Sequence, residues 1–402
     1  MIITEEKLAN VSRAFYENFE QRGEIGASLS IWKDGEEILN LADGWKDKTH
    51  KTQTQKWNSD TLIPVYSATK GPASATFLKV IENAGFTPET KVQDIWEDFP
   101  ITIYSQPSIA ELMSHQCGLP ALDNKVSVFD FEAVIEAIEA QPPAWSLGDA
   151  HGYHPRTYGF LLDKLCLCLT GEKIAPMFHK LIAEPLKLDF WIGLPEEQHH
   201  KVGTLYPGKM TKADMESGFY QEFNQSDSLV RKTFASPVGL QAVQDMNTPA
   251  AWQSGLPAMG GVGTASSLAK FYQAAIGTIG TIGATRAMGT SNPHLTANPV
   301  PLFSDNLRKW MSTPVVSGDD LILCTPTQFS CGFQLDPLDS LGNKIRNNYG
   351  DSQTAFGHPG AGGSHGFGDP EHGISFAYVM NQMEISVLPN KKTMALVAAL
   401  YE

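Results

Sequence analysis

Strand-forming sequence in this chain gathers at its two ends, and that distribution constrains the fold more than any other feature. Residues 26–33, Gly-Ala-Ser-Leu-Ser-Ile-Trp-Lys, read as a strand, Asp34-Gly35 as a hairpin turn, and 36–44 as the returning strand. Near the other end, 327–335 reads as extended and 364–381 as a hairpin around Asp369-Pro370-Glu371-His372-Gly373, followed by a helix over 389–401. An amphipathic helix through Val11, Ala14, Phe15 and Phe19 opens the chain. From Ser67 to about 190 helix-forming sequence dominates, with helices over 68–84, 107–114, 128–140 and 157–168. The expected fold class is α+β, an antiparallel sheet completed by both chain ends, flanked by helices and carrying an inserted, mainly helical domain. The expected division is 1–72 with 305–402 for the discontinuous sheet domain and 73–304 for the helical one, with the active site between them. The stretch 277–300, rich in Gly, Thr, Asn and Pro, reads as a long, mobile loop.

At 402 residues the chain is long enough for two lobes, and its 42% hydrophobic and 18% charged content is ordinary for a globular enzyme. A net charge of -14 argues against nucleic acid or an anionic membrane as partner and disfavours acidic substrates. No apolar run is long enough to span a membrane, and the first residues lack the basic start and apolar core of a secretory signal. The five cysteines, Cys117, Cys166, Cys168, Cys324 and Cys331, fit reduced cytoplasmic thiols. Cys166 and Cys168 lack the partners of a zinc set and read as buried apolar thiols, and His199-His200 reads as solvated surface, so no metal is expected. A small uncharged molecule is the expected partner, and oligomeric state stays open.

Chemistry enters at Ser67-Ala68-Thr69-Lys70. A hydroxyl and an amine three positions apart on a helix share a face. Serine is a poor nucleophile until a base takes its proton, and a lysine whose pKa is lowered by burial can be that base. The motif is short, and Ser267-Leu268-Ala269-Lys270 repeats it with Ser266 as the expected N-cap, Ser267 exposed and Lys270 on a solvated face. Two distant segments could complete a site. Tyr153, in Gly152-Tyr153-His154-Pro155, becomes a general base if a nearby ammonium lowers its pKa, although a ring packed at a helix entrance explains it equally. Gly357-His358-Pro359-Gly360-Ala361-Gly362-Gly363 could bring strand-edge N–H groups to an oxyanion, or be only a turn before a hairpin.

In this order the three segments resemble the serine β-lactamase superfamily, and most closely its class C-like esterases, the family VIII carboxylesterases. Ser67-x-x-Lys70 matches the nucleophile motif. Tyr153-His154-Pro155 stands where the family has Tyr-x-Asn, and His358-Pro359-Gly360 where β-lactamases have Lys-Thr-Gly. Pro64-Val65-Tyr66, the run Leu112–Pro120, Gly260-Gly261-Val262-Gly263 and Asp369-Pro370-Glu371 also look like family sequence. The resemblance covers nearly the whole chain except 277–300. It implies a β-lactamase/transpeptidase-like fold, an acyl-enzyme on Ser67, acid/base work shared by Lys70 and Tyr153, and an oxyanion hole from the N–H groups of Ser67 and Ala361. His358 would contact substrate, with His154, Gly360 and Trp145 also placed at the pocket. No cofactor is implied.

Two further motifs are weaker. Gly362-Gly363-Ser364-His365-Gly366 matches a nucleophile elbow but precedes a hairpin rather than a helix. Ser304-Asp305-Asn306 copies a class A β-lactamase triplet but reads as a helix N-cap. Pro155 has no amide to meet an antibiotic side chain, and His358 is no permanent cation for its carboxylate. The expected activity is therefore a serine carboxylesterase acting on esters of small neutral alcohols, with at most weak β-lactamase side activity. A β-lactamase or D-Ala-D-Ala peptidase, an acyltransferase, and a non-catalytic scaffold are the alternatives. Pro72 is expected to remove a bond to Ala68 and bend the nucleophile helix.

Overall fold

The computed structural model describes residues 1–100, 106–281 and 300–402. Its strands are β1 (Gly26–Lys33), β2 (Glu36–Gly44), β3 (Ile63–Pro64), β4 (Phe190–Ile192), β5 (Gly261–Gly263), β6 (Gly280–Thr281), β7 (Val300–Pro301), β8 (Val316–Asp320), β9 (Thr325–Phe329), β10 (Gln334–Leu335), β11 (Phe356–Pro359), β12 (His365–Asp369) and β13 (Ile374–Met380). Asp34 and Gly35 both take positive φ, 50° and 95°, the mirror-image turn whose twist suits a two-residue hairpin. That hairpin joins the C-terminal strand, β1 running against β13 from Ala27 opposite Met380 to Lys33 opposite Ile374. Eight strands form one antiparallel sheet in the order β2-β1-β13-β12-β11-β10-β9-β8. Both chain ends complete it, as the sequence implies.

Side chains alternate across the sheet, so the two faces can be read along β12. A Cβ on Gly366 or Gly368 would meet Leu268 or Ile276 at 2.9 and 2.6 Å, so these glycines let the helix Ala265–Ala275 lie against that face. Phe367, between them, points the other way to Tyr349 and to Tyr401 of the C-terminal helix Lys391–Tyr401. The helix Ala265–Ala275 thus belongs with the sheet, not with the inserted helices where its position in the chain had put it. Its N-cap is Thr264 rather than Ser266. The expected boundary at 72 falls inside a continuous helix, Lys70–Asn83. Of the 277–300 loop, Gly280–Thr281 pairs with Val300–Pro301, and 282–299 lie outside the described residues.

A second sheet, in the order β3-β5-β4, leads the chain to the candidate nucleophile. Cys166 is buried but Cys168 is exposed, because residues two apart on a helix face opposite ways. Among the described residues no helix is long and apolar enough to cross a membrane.

Candidate active site

Ser67 lies in a tight turn in which Ala68 N–H donates to Val65 O at 3.2 Å. Tyr66, inside that turn, has φ 47° and ψ -130°, a conformation suited to glycine that costs a non-glycine residue about 1–3 kcal/mol. The Thr69 hydroxyl holds the turn by donating to Tyr66 O while accepting from Gly261 N–H of β5 at 2.8 Å. A short 3-10 turn, Ser67–Thr69, then runs into the helix Lys70–Asn83. Pro72 is the third residue of that helix, where a backbone N–H has no intrahelical partner, so the expected lost bond is not part of the α-helix.

Lys70 is completely buried, and its Nζ lies 3.3 Å from Ser67 Oγ. It also donates to Pro155 O at 2.9 Å and Ala258 O at 2.8 Å. Burial, and secondarily the Arg156 guanidinium, lower its pKa well below the usual lysine value. In its neutral form the amine has two N–H bonds, and the two carbonyls can accept both. Its lone pair is then left for the third direction, towards the Ser67 hydroxyl.

Tyr153 brings its ring to 4.9 Å from Lys70 Nζ. Its phenol faces Ser67, which partly offsets burial, but the two do not align into a formed hydrogen bond, and the phenolic oxygen is buried without a partner. Burial pushes the Tyr153 pKa up, opposite to the sequence expectation, because desolvation disfavours a phenolate. At rest the Tyr153 phenol keeps its proton.

At the end of β11, a Cβ on Gly360 would fall 2.0 Å from Val65 O. This close approach brings Ala361 beside the Ser67 turn. Neither Ser67 N–H nor Ala361 N–H is among the hydrogen-bonded backbone groups of the described residues. His358 is buried, with its ring 5.8 Å from that of Tyr153. Its Nδ1–H donates to Pro359 O at 2.8 Å, and its Nε2 is buried without a partner. Burial, then the proximity of Lys70, hold His358 well below the normal histidine pKa, so it is neutral.

Two residues expected at the pocket have hydrogen-bond partners within the protein. His154 accepts from Leu119 N–H at 3.0 Å through Nε2 and its Nδ1–H donates to Gly152 O at 2.6 Å, so both nitrogens serve the backbone. Burial takes its pKa to about 3. Trp145 donates to Gln116 O at 3.1 Å and packs edge-on against His154. The other serines have structural explanations. Ser267 is buried and accepts from Asp189 N–H at 2.7 Å, not exposed as expected. Ser364 is buried in a turn closed by Gly360 N–H to Ser364 O at 2.6 Å, and Ser304 caps the helix Asp305–Ser312.

A profile of the family described as Beta-lactamase matches residues 11–399. The chain belongs to the beta-lactamase family. It is a hydrolase of that family, whose fold carries serine hydrolases. The curated protein "Esterase/beta-lactamase LipL" of Mycobacterium tuberculosis (strain ATCC 25618 / H37Rv) is 26% identical over 387 residues, 94% of this chain and 82% of that protein. The crystal structure of a family VIII carboxylesterase superposes with a TM-score of 0.81 at 27% identity, covering 100% of this chain and 98% of that one. A penicillin-binding protein homologue from Caulobacter crescentus gives 0.79 at 26% identity, with the same coverage.

Sequence reasoning about this beta-lactamase-family chain missed Asp320. It ends edge strand β8, is buried, and accepts Tyr153 N–H at 3.0 and 3.2 Å, Ile322 N–H and Leu323 N–H each at 2.8 Å, and the Thr327 hydroxyl at 3.2 Å. In sequence it is one of two acids after a glycine, which reads as an exposed turn. It also missed His115, whose ring packs 5.0 Å from Tyr153 and whose Nδ1 accepts from His154 N–H at 3.3 Å.

Proposed function

We propose that the chain is a serine carboxylesterase acting through an acyl-Ser67 intermediate. The observation that carries this reading is the buried amine of Lys70 at 3.3 Å from Ser67 Oγ, with its other donors taken by two carbonyls. Ser67 gives its proton to Lys70 as Oγ bonds to the ester carbonyl carbon. The carbonyl oxygen, now negative, is met by the N–H groups of Ser67 and Ala361. Each such donor is typically worth about 3 kcal/mol in the transition state. When the C–O bond to the alcohol breaks, the Tyr153 O–H protonates the departing oxygen, and the Lys70 ammonium returns a proton to Tyr153. Water then enters by the reverse route and releases the acid.

Ester rather than β-lactam or peptide substrates are favoured by neutral His358 and by Pro155, which give an antibiotic carboxylate and amide no charged or amide partner. The name of the LipL relative keeps β-lactam hydrolysis as the second reading. The test is intact-mass spectrometry after mixing with short esters and with nitrocefin, alongside Ser67→Ala. An acyl adduct mapped to Ser67 and lost in the variant is expected. Esterase activity surviving in Ser67→Ala would reject the reading, and nitrocefin turnover matching that of p-nitrophenyl esters would move the substrate class to β-lactams.

A further inference from the structure

Resting on the esterase reading, we propose that this site binds the apolar part of its substrate on the alcohol side of the ester. Acylation passes through a tetrahedral carbon on Ser67 Oγ. Of its other three substituents, the oxyanion points to the Ser67 and Ala361 N–H groups. The alcohol oxygen must come within hydrogen-bond reach of its proton donor, Tyr153. The acyl chain takes the remaining direction. Groups that surround Tyr153 therefore surround the alcohol.

Tyr153 forms an apolar cluster with Ile322, Leu323 and Phe329, all buried. Packed against this cluster are Leu229, Phe234, Val316, Val387 and Leu388, and each of these five is only half-buried. They come from three separate stretches of chain, the helix Leu229–Ala235, strand β8 and the segment after β13. Phe234 is no loose surface ring, since Phe219 and Phe223 back it at 5.3 and 6.0 Å. Half-buried apolar side chains from three segments, packed on the cluster that holds the proton donor, make a wall that gains contact when an alkyl or aryl alcohol lies against it. Each methylene it takes out of water is worth about a fourfold gain in kcat/KM.

The test compares two ester series, acetates of methanol through hexanol and p-nitrophenyl esters of acetate through octanoate. The ratio kcat/KM reports only steps up to acylation, in which the alcohol is still attached. It is expected to rise about fourfold per methylene along the alcohol series, until the wall is covered, and to change little along the acyl series. Phe234→Ala should lower kcat/KM for hexyl acetate about tenfold more than for methyl acetate. Val387→Ala, on an independent segment, should flatten the same slope and reads the wall even if Phe234→Ala folds poorly. A steep acyl series with a flat alcohol series overturns the proposal, as do variants that lower every substrate by one common factor. Failure of the esterase reading itself looks different: no acyl-Ser67 adduct with any member of either series.

Discussion

Gly360→Ala tests whether the close approach of β11 to the Ser67 turn sets the oxyanion hole. Gly360 has no positive φ, so alanine can adopt its backbone conformation and the cost is steric alone. The added Cβ would sit 2.0 Å from Val65 O and 3.1 Å from Val65 C. Restoring an ordinary contact needs a separation larger by roughly 1 Å or more, against backbone on both sides. Val65 is two residues before Ser67, and Gly360 is next to Ala361. The shift therefore spreads the two N–H groups that would share one oxyanion. A displacement of about 1 Å can cost ~10²-fold, and loss of one donor ~10²–10³-fold. The expected result is a kcat lower by about 10²–10³ with a smaller change in KM, because the lost interaction belongs to the transition state. Stability should fall by about 1–3 kcal/mol, as for overpacking elsewhere. Steady-state hydrolysis of p-nitrophenyl acetate and urea unfolding measure the two effects. Gly342→Ala is the control: it has φ 83° and nothing within 4 Å of its Cβ, so it carries backbone strain without a clash and should keep kcat. A Gly360→Ala enzyme with kcat within about threefold of the parent would refute the reasoning.

Three other outcomes follow from the same geometry. Tyr153→Phe removes a buried hydroxyl that has no partner, so kcat should drop by ~10²–10⁴ while thermal stability is kept or rises, and a clear loss of Tm would contradict the orphaned phenol. Lys70 has a folded pKa below its unfolded value of about 10.4, so the unfolded chain binds more protons between those two values and stability rises with pH across that window. Lys70→Met should therefore be inactive, and because it no longer titrates, its stability relative to the parent should fall as pH rises towards ~10.4. In the parent, kcat/KM should rise with pH as the free amine forms, and a rate that needs the ammonium, falling with increasing pH instead, would reverse the assignment. Asp320→Ala leaves the N–H groups of Tyr153, Ile322 and Leu323 without their acceptor, at about 1–3 kcal/mol each, so urea unfolding should show a loss of roughly 3 kcal/mol or more. Asp320→Asn, which keeps one oxygen for those donors, should recover most of it, and an alanine variant as stable as the parent would count against the anchor.

What the sequence reveals, and what it hides, follows from the range of each interaction. The β1–β2 hairpin is legible because Asp34-Gly35 and two alternating runs specify it locally. The order Ser67, Tyr153, His358 is legible because each sits in a short motif with its own backbone chemistry. Asp320 is not, since its partner Tyr153 lies 167 positions away and nothing near Asp320 signals burial. The direction of the Tyr153 pKa depends on how completely the chain encloses the ring, which only the packed structure shows. His154 looks like a pocket residue in sequence because motif spacing says nothing of where a ring nitrogen points. Both of its nitrogens are taken by backbone groups of Leu119 and Gly152. The placement of helix Ala265–Ala275 hides for a related reason: it packs through Gly366 and Gly368, residues too small to mark a face in an apolar pattern.

The surroundings of Ser67 differ from ordinary packing in a way that owes nothing to family likeness. Buried polar atoms without partners occur elsewhere in the described residues, at Gln198 and Arg346 for example, so an orphan alone identifies nothing. Around Ser67, however, several costs fall together. Tyr66 holds a glycine-like conformation, Tyr153 and His358 keep unpaired polar atoms, and Lys70 is an amine taken fully out of water. Each costs about 1–3 kcal/mol or more, in a chain whose whole folding stability is expected to be of order 10 kcal/mol. A sequence selected for stability alone would relieve them, for instance with glycine at 66 or phenylalanine at 153. These groups come from three distant parts of the chain, and the unpaired phenol and ring nitrogen would gain partners if a tetrahedral, negatively charged ester intermediate lay beside Ser67. Strain and unmet hydrogen bonds that a transition state would satisfy are what separate a catalytic arrangement from a packed one.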